Sequence, residues 1–162
     1  MDKISIRLAK PPDAKLIAEF NSASALETEN KELIPELITS GVEAVFENPT
    51  LGFYVVAEAD GAVVACLMVT NEWSDWRNGM FWWIQSVYVH PDYRRRGIYR
   101  DMYEFVKTIA KEEPNVCGFR LYVEKENTKA QEAYSSMGME KTGYRLFEEL
   151  KKGVKCFKGK SS

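Results

Sequence analysis

The chain has 162 residues, 45% of them hydrophobic and 28% charged, which is the length of about one domain and the composition of an ordinary globular protein. A formal net charge of −2 and a pI of about 5.6 give no global field for nucleic acid, which argues against Arg94, Arg95 and Arg96 as a DNA or RNA patch. No apolar run approaches the ~20 residues of a membrane span, and Met1-Asp2-Lys3 leads into a strand pattern instead of a signal sequence, so the expected location is the cytoplasm with no membrane partner.

Ile4, Ile6 and Leu8 alternate with Ser5 and Arg7, the pattern of a first strand. Pro11-Pro12-Asp13 then opens a helix whose apolar residues, Leu16, Ile17, Phe20 and Ala23 or Ser24, share one face. The pattern lapses around Ser22 to Asn30. A second helical stretch carries Leu33, Leu37, Ile38, Val42, Val45 and Phe46, with Pro35 and Gly41 as expected break points. A strand over residues 53–58, the hairpin signal Asp60-Gly61 and an apolar run over 62–69 predict an antiparallel pair. A polar connection over 71–79 leads to another strand, 80–89.

Beyond that strand, Met102, Phe105, Val106, Ile109 and Ala110 mark an amphipathic helix, and Phe119, Leu121 and Val123 a further strand. A strand reached through a crossover helix should lie parallel to the one before it. Asn127 can cap a helix bearing Ala130, Ala133, Tyr134 and Met137, with Gly138 placed to end it. Residues 139–146 alternate weakly and read as a last strand. The predicted order is β-α-α-β-β-β-α-β-α-β, an α/β (α+β) fold with a mixed central sheet and flanking helices. It needs one domain, 1–150, followed by a basic tail, 151–162, expected to fray.

Cys66, Cys117 and Cys156 are widely spaced without a C-x-x-C pair, which favours reduced thiols over a disulfide or a metal site. His90 is the single histidine. It reads as a turn residue beside Pro91, and no His-pair metal site can be built.

The stretch Val87-Tyr88-Val89-His90-Pro91-Asp92-Tyr93-Arg94-Arg95-Arg96-Gly97-Ile98-Tyr99-Arg100 runs from a strand through a glycine-bearing turn into a helix. Such a junction gathers unpaired N–H groups and the positive end of a helix dipole, the requirements of a pyrophosphate cradle. Neither G-x-x-x-x-G-K-[ST] nor G-x-G-x-x-G is present, so a nucleoside triphosphatase and a dinucleotide enzyme are disfavoured. Arg94-x-x-Gly97-x-Tyr99 resembles the [Q/R]-x-x-G-x-[G/A] loop of the GNAT family of N-acetyltransferases, with Tyr99 standing where the family usually has Gly or Ala. Asn127-x-x-Ala130-x-x-x-Tyr134-x-x-x-Gly138-Met139 resembles that family's N-x-x-A-x-x-x-Y-x-x-x-G-F segment, and the element order agrees over nearly the whole chain.

The resemblance implies the acyl-CoA N-acyltransferase fold, acetyl-CoA as co-substrate, no metal, and transfer of acetyl to a primary amine by direct attack in a ternary complex. It implies a bulge near Val87 to Val89, with the pantetheine arm between that strand and Leu121 to Val123 and the N–H near Val87 on the thioester oxygen. Val87, Tyr88, Val89, Arg94, Arg95, Arg96, Gly97, Ile98, Tyr99, Arg100, Asn127, Ala130 and Tyr134 become the coenzyme residues, and Tyr134 the general acid. The family's usual base, a glutamate on the strand before the loop, has no counterpart at Ile84-Gln85-Ser86. Gln85 cannot act as a base, which leaves Glu29 and Glu72 as candidates. Glu29, Trp73 and Gln85 are assigned to acceptor binding, since aromatic faces beside carboxylates suit a cationic amine. A small-molecule amine is the expected acceptor. A protein lysine or N-terminus, or a non-catalytic acyl-CoA-binding module, are the alternatives, and the oligomeric state is left open, a homodimer included.

Overall fold

The computed structural model describes residues 3–159. Two compact units result: one holds the chain up to Leu121 and takes it up again at Cys156, and the other is Tyr122–Lys155. The first contains a five-stranded sheet in the order β1-β2-β3-β4-β5.

Strand β1 (Ile4–Leu8) pairs antiparallel with β2 (Gly52–Ala59). Arg7 sets the start of the first helix, because its guanidinium bonds both carboxylate oxygens of Asp13, at 2.8 and 3.1 Å, and Glu58 on β2 at 3.0 Å. Asp13 ends a Pro11–Asp13 3-10 turn and starts helix α1 (Ala14–Glu29) against the sheet. The helix runs through the stretch where the apolar pattern lapses, ending where Asn30 turns left-handed at φ 54. Helix α2 (Pro35–Glu47) is unbroken: Pro35 takes the first helical position, where its missing N–H costs nothing, and Gly41 is spanned.

The Asp60-Gly61 turn has φ of 51 and 86, the double positive φ of a tight hairpin between β2 and β3. Strand β3 (Ala62–Ser74) is longer than the apolar run predicts. Residues 71–74, polar in composition, pair with β4 (Gly79–Val89) as far as Ser74 opposite Gly79. Backbone pairing with a long partner decided this, and side-chain polarity did not. From β4 the chain crosses through helix α3 (Ile98–Ala110) to β5 (Val116–Arg120), which lies parallel to β4. The last strand of this sheet therefore starts and ends earlier than Phe119, Leu121 and Val123 suggest. An extra residue between Val116 and Gly118 shifts its register against Met80 and Phe81.

One face of the sheet packs Tyr54, Val56 and Cys66 against Ile17, Ala18 and Phe20 of α1 and Val42 and Val45 of α2. On the opposite face Trp82 meets Phe53 and Phe119, and Phe119 meets Tyr103 of α3. Within the stretch expected to fray, residues 156–158 are held: Phe157 bridges Leu33, Cys156 accepts from the Ile34 N–H at 2.9 Å and Lys158 donates to Glu32 at 2.7 Å. These three residues tie the connection between α1 and α2.

In the second unit, helix α4 (Thr128–Ser136) is capped by Asn127 as expected. The last strand expected over 139–146 does not form. Gly143 and alternating charges leave a weak pattern, no ladder reaches the segment among the described residues, and Tyr144, Leu146 and Phe147 remain exposed. The mixed α/β architecture holds without it.

Candidate active site

The geometry begins with a bulge. Opposite β3, Cys66 pairs with Tyr88 and Met68 with Gln85, so Ser86 and Val87 together face Leu67. Ser86 adopts φ 53, the left-handed conformation that lets a bulge turn the strand. Gln85 and Tyr88, three residues apart, therefore face the same side. The parallel ladder to β5 ends at Trp83 opposite Arg120, so the strand leaves its neighbour just before the bulge. Val87, Tyr88 and Val89 are half-buried.

The loop comes next. His90 closes a 3-10 turn over Pro91–Tyr93, its Nδ1 accepting from the Asp92 N–H at 3.2 Å, the turn role that its place beside Pro91 suggests. Arg95 has φ 66 and Gly97 φ 76, two left-handed residues that swing the backbone into α3. Asp101 N–H already reaches the Gly97 carbonyl at 3.0 Å, leaving the first turn's earlier N–H groups with no helix carbonyl to bond. Arg95, Arg96 and Arg100 are exposed here, and Ile98 is buried beneath. The Tyr99 ring stacks on Tyr103 one turn along, centroids 6.4 Å apart, so its bulk is directed down the helix.

Arg94 is placed otherwise. Its Nε donates to the Val89 carbonyl at 2.8 Å and its two terminal nitrogens to the two oxygens of Glu27, each at 2.8 Å. The hydrogen bond from Arg94 holds the Glu27 carboxyl below the usual carboxylate range. The guanidinium also lies 5.4 Å from the Tyr88 ring, itself 5.0 Å from Phe20.

Along the same face of the sheet, past the end of the helical cover, lies a polar cluster. Glu72 Oε1 accepts from Trp83 Nε1 at 2.9 Å and Arg120 Nη1 at 2.6 Å. These bonds, that of Trp83 first, hold its carboxyl below the ordinary range. A carboxylate so stabilised has little appetite for a proton. Arg120 covers the Phe81 ring at 3.6 Å and Arg77 at 5.0 Å. Gln85 donates to the Thr70 hydroxyl at 2.7 Å. Trp73, 55% exposed, follows Glu72 in β3 and pairs with Met80, so it faces the other side of the sheet, and Glu29 lies exposed at the end of α1. Among the described residues no group of metal-ligating side chains could hold an ion.

In the second unit Asn127 Oδ1 accepts from the Ala130 N–H at 3.1 Å, and Gln131 binds the Lys125 carbonyl at 3.0 Å. Tyr134 is half-buried, and burial pushes its phenol above the ordinary range. Ala130 is half-buried on the same helix.

Three residues have roles here that the sequence reading does not assign: Glu27, Arg120 and Ser86. Glu27 extends the spacing of Phe20 and Ser24 along α1, so a carboxylate on an otherwise apolar stripe was the available signal. Arg120 follows Phe119 in a strand and so had to face the other side. No signal foretells the left-handed Ser86.

Comparison with known proteins bears on the family and the fold. Residues 16–139 match the model of the acetyltransferase (GNAT) family. No curated protein matches the chain. Among solved structures, a possible acetyltransferase from Clostridium difficile 630 is 46% identical, with 91% of this chain and 97% of that one covered at a TM-score of 0.84. A predicted acetyltransferase from Clostridium acetobutylicum, solved with acetyl-CoA, is 20% identical, with 91% and 96% covered at 0.75. An aminoglycoside N-acetyltransferase in complex with CoA is 14% identical, with 93% and 96% covered at 0.74. The last two share the fold alone. With the family matched over most of its length, the chain belongs to the acetyltransferase (GNAT) family and is an acetyl-CoA-dependent N-acetyltransferase.

Proposed function

We propose that the chain acetylates a primary amine of a small molecule, by direct attack on the thioester while both substrates are bound. The supporting observation is the bulge at Ser86 and Val87, just past the end of the parallel ladder and just before a loop with two left-handed residues at a helix start. In this reading the N–H near Val87 polarises the thioester carbonyl, and such preorganised donors are a large catalytic term. The loop from Arg95 to Arg100 receives the pyrophosphate through backbone N–H groups and exposed arginines. Asn127, Ala130 and Tyr134 serve the coenzyme from α4, with Tyr134 assisting departure of the thiolate.

The acceptor side is assigned to Glu29, Glu72, Trp83 and Gln85, without Trp73, which β3 turns to the other face. A small cationic amine is supported by the half-buried Trp83 indole beside the Glu72 carboxylate, and by the shared fold of an aminoglycoside N-acetyltransferase. An alkylamine at pKa ~10.4 is neutral in only about one part in 10³ at pH 7, so a base or a water chain must take its proton. Glu72 has Oε1 engaged by Trp83 and Arg120, which makes it a poor proton acceptor, and in this reading its second oxygen, Oε2, holds the ammonium. Glu29 is the remaining candidate base. Three free cysteines, Cys66, Cys117 and Cys156, are compatible with the reducing cytoplasm as the site of action.

An acceptor panel read by release of the coenzyme A thiol tests the reading, and absence of acceptor-dependent release across small amines would overturn it. Glu72→Gln should raise the acceptor KM about three- to tenfold with kcat little changed, as loss of a binding charge does. Glu29→Gln should lower kcat/KM most at low pH, where neutral amine is scarcest. Wild-type kinetics in both variants would remove both residues from the mechanism and leave a water relay.

A further inference from the structure

The sequence pattern puts Arg94 at the head of the pyrophosphate loop, yet its guanidinium is directed at a carboxylate and a carbonyl. One nitrogen is bonded to Val89, the residue that closes β4, and the other two grip both oxygens of Glu27 in the last turns of α1. Such a two-pronged pair fixes a planar group in position and orientation, where a single contact would leave it free to pivot. The Tyr88 ring, backed by Phe20, limits the side chain's movement from below. Immediately after Arg94 the backbone changes from extended, φ −72 and ψ 155, to left-handed at Arg95. The anchored residue is therefore the one from which the loop departs.

We propose that Glu27 is a positioning residue for coenzyme binding: it holds Arg94 as a strut between α1 and the end of β4, and Arg94 shapes the loop without itself being a phosphate ligand. This rests on the reading of that loop as the pyrophosphate site. The positive charge that meets the phosphates then comes from Arg95 and Arg100, because the charge of Arg94 is already balanced by Glu27. The strut joins the coenzyme loop to the helix whose end carries Glu29. A loop set by α1 places the two substrates' binding elements in one frame.

The sign of one substitution separates this role from the obvious alternative. If Arg94 swung to the pyrophosphate on binding, Glu27 would compete with the ligand, and Glu27→Gln would tighten acetyl-CoA. As a strut, the same change loosens the loop and weakens acetyl-CoA about two- to fivefold, the upper part of the range for a partly exposed ion pair. Arg94→Gln should weaken it comparably, and the double variant Glu27→Gln/Arg94→Gln no further than either single, since both remove one interaction. S-acetylpantetheine, used as an acetyl donor without the pyrophosphate, should show a KM change below about twofold. Calorimetric affinities for acetyl-CoA and KM values for the two donors provide the readout. Tighter or unchanged acetyl-CoA binding in Glu27→Gln overturns the proposal, as does an equal loss for both donors, which would indicate a general packing defect. Failure of the wild-type protein to bind acetyl-CoA would instead remove the loop reading itself.

Discussion

Gly97→Asn should remove most acetyl-CoA binding from a protein that still folds. Gly97 sits at φ 76 and ψ 13, and a Cβ built there meets no protein atom within 4 Å. The fold would admit the side chain sterically, but it would stand beside the N–H groups assigned to the pyrophosphate. Asn tolerates the left-handed region better than other residues, so this variant isolates obstruction from backbone strain. Losing two or three charge-assisted hydrogen bonds should cost about 10²-fold or more in affinity. Gly97→Val should lose as much affinity and also about 1–2 kcal/mol of stability, because a β-branched residue is strained at that φ. For a chain of this length that lowers Tm by roughly 2–8 °C. Calorimetry beside a thermal melt checks both, and unchanged affinity in a folded Gly97→Asn protein would mean that the anion does not approach there.

How far these assignments could be read from the residues depended on whether the deciding interaction was local. Helix α3 was legible because Met102, Val106 and their neighbours repeat at helical spacing, and of that stripe Met102 and Val106 are buried and Phe105, Ile109 and Ala110 half-buried. The Asp60-Gly61 turn was legible because both residues accept the positive φ a tight hairpin demands. Strand β3 was cut short at residue 69 because Asn71, Glu72 and Ser74 look like loop residues. They pair with β4 across a turn at Asp75 to Asn78, a partnership no short window contains. Conversely, residues 139–146 have some alternation and no ladder, and alternation without a neighbour does not make a strand.

The site divides the same way. The loop's glycine and the helix start behind it were visible as a motif, since left-handed backbone and helix capping are written into residue type. The Glu27–Arg94 pair spans 67 positions, so no local pattern could show that a carboxylate takes up the arginine's guanidinium. Glu72 was visible as a carboxylate, but its acidity depends on Trp83 and Arg120, brought to it by two other strands. A residue's chemical type can be read directly from the sequence. Its proton affinity depends on what the fold places against it.

Tyr134→Phe should leave fold and acetyl-CoA affinity nearly unchanged while reducing acetyl transfer. The substitution keeps the ring, and the helix retains its Asn127 cap and its Gln131 tether. Only the hydroxyl is lost. A phenol at ~10 and a coenzyme thiol near ~8.5 would make full proton transfer uphill by roughly 2 kcal/mol. Burial raises the Tyr134 phenol further, which widens that gap and keeps the hydroxyl protonated at and above ordinary assay pH. The group is therefore suited to donating a hydrogen bond to the departing thiolate, with the proton following once the amine has released its own. Loss of such assistance typically costs ~10²–10⁴-fold, measured as a single-turnover rate so that product release does not mask it. With the phenol neutral below its raised pKa, the pH profile of that rate should keep its shape in the variant and only drop in height. A single-turnover rate equal to wild type in well-folded Tyr134→Phe would reduce this tyrosine to a packing residue, and the thiolate would have to leave with help from solvent or from the acceptor's own proton.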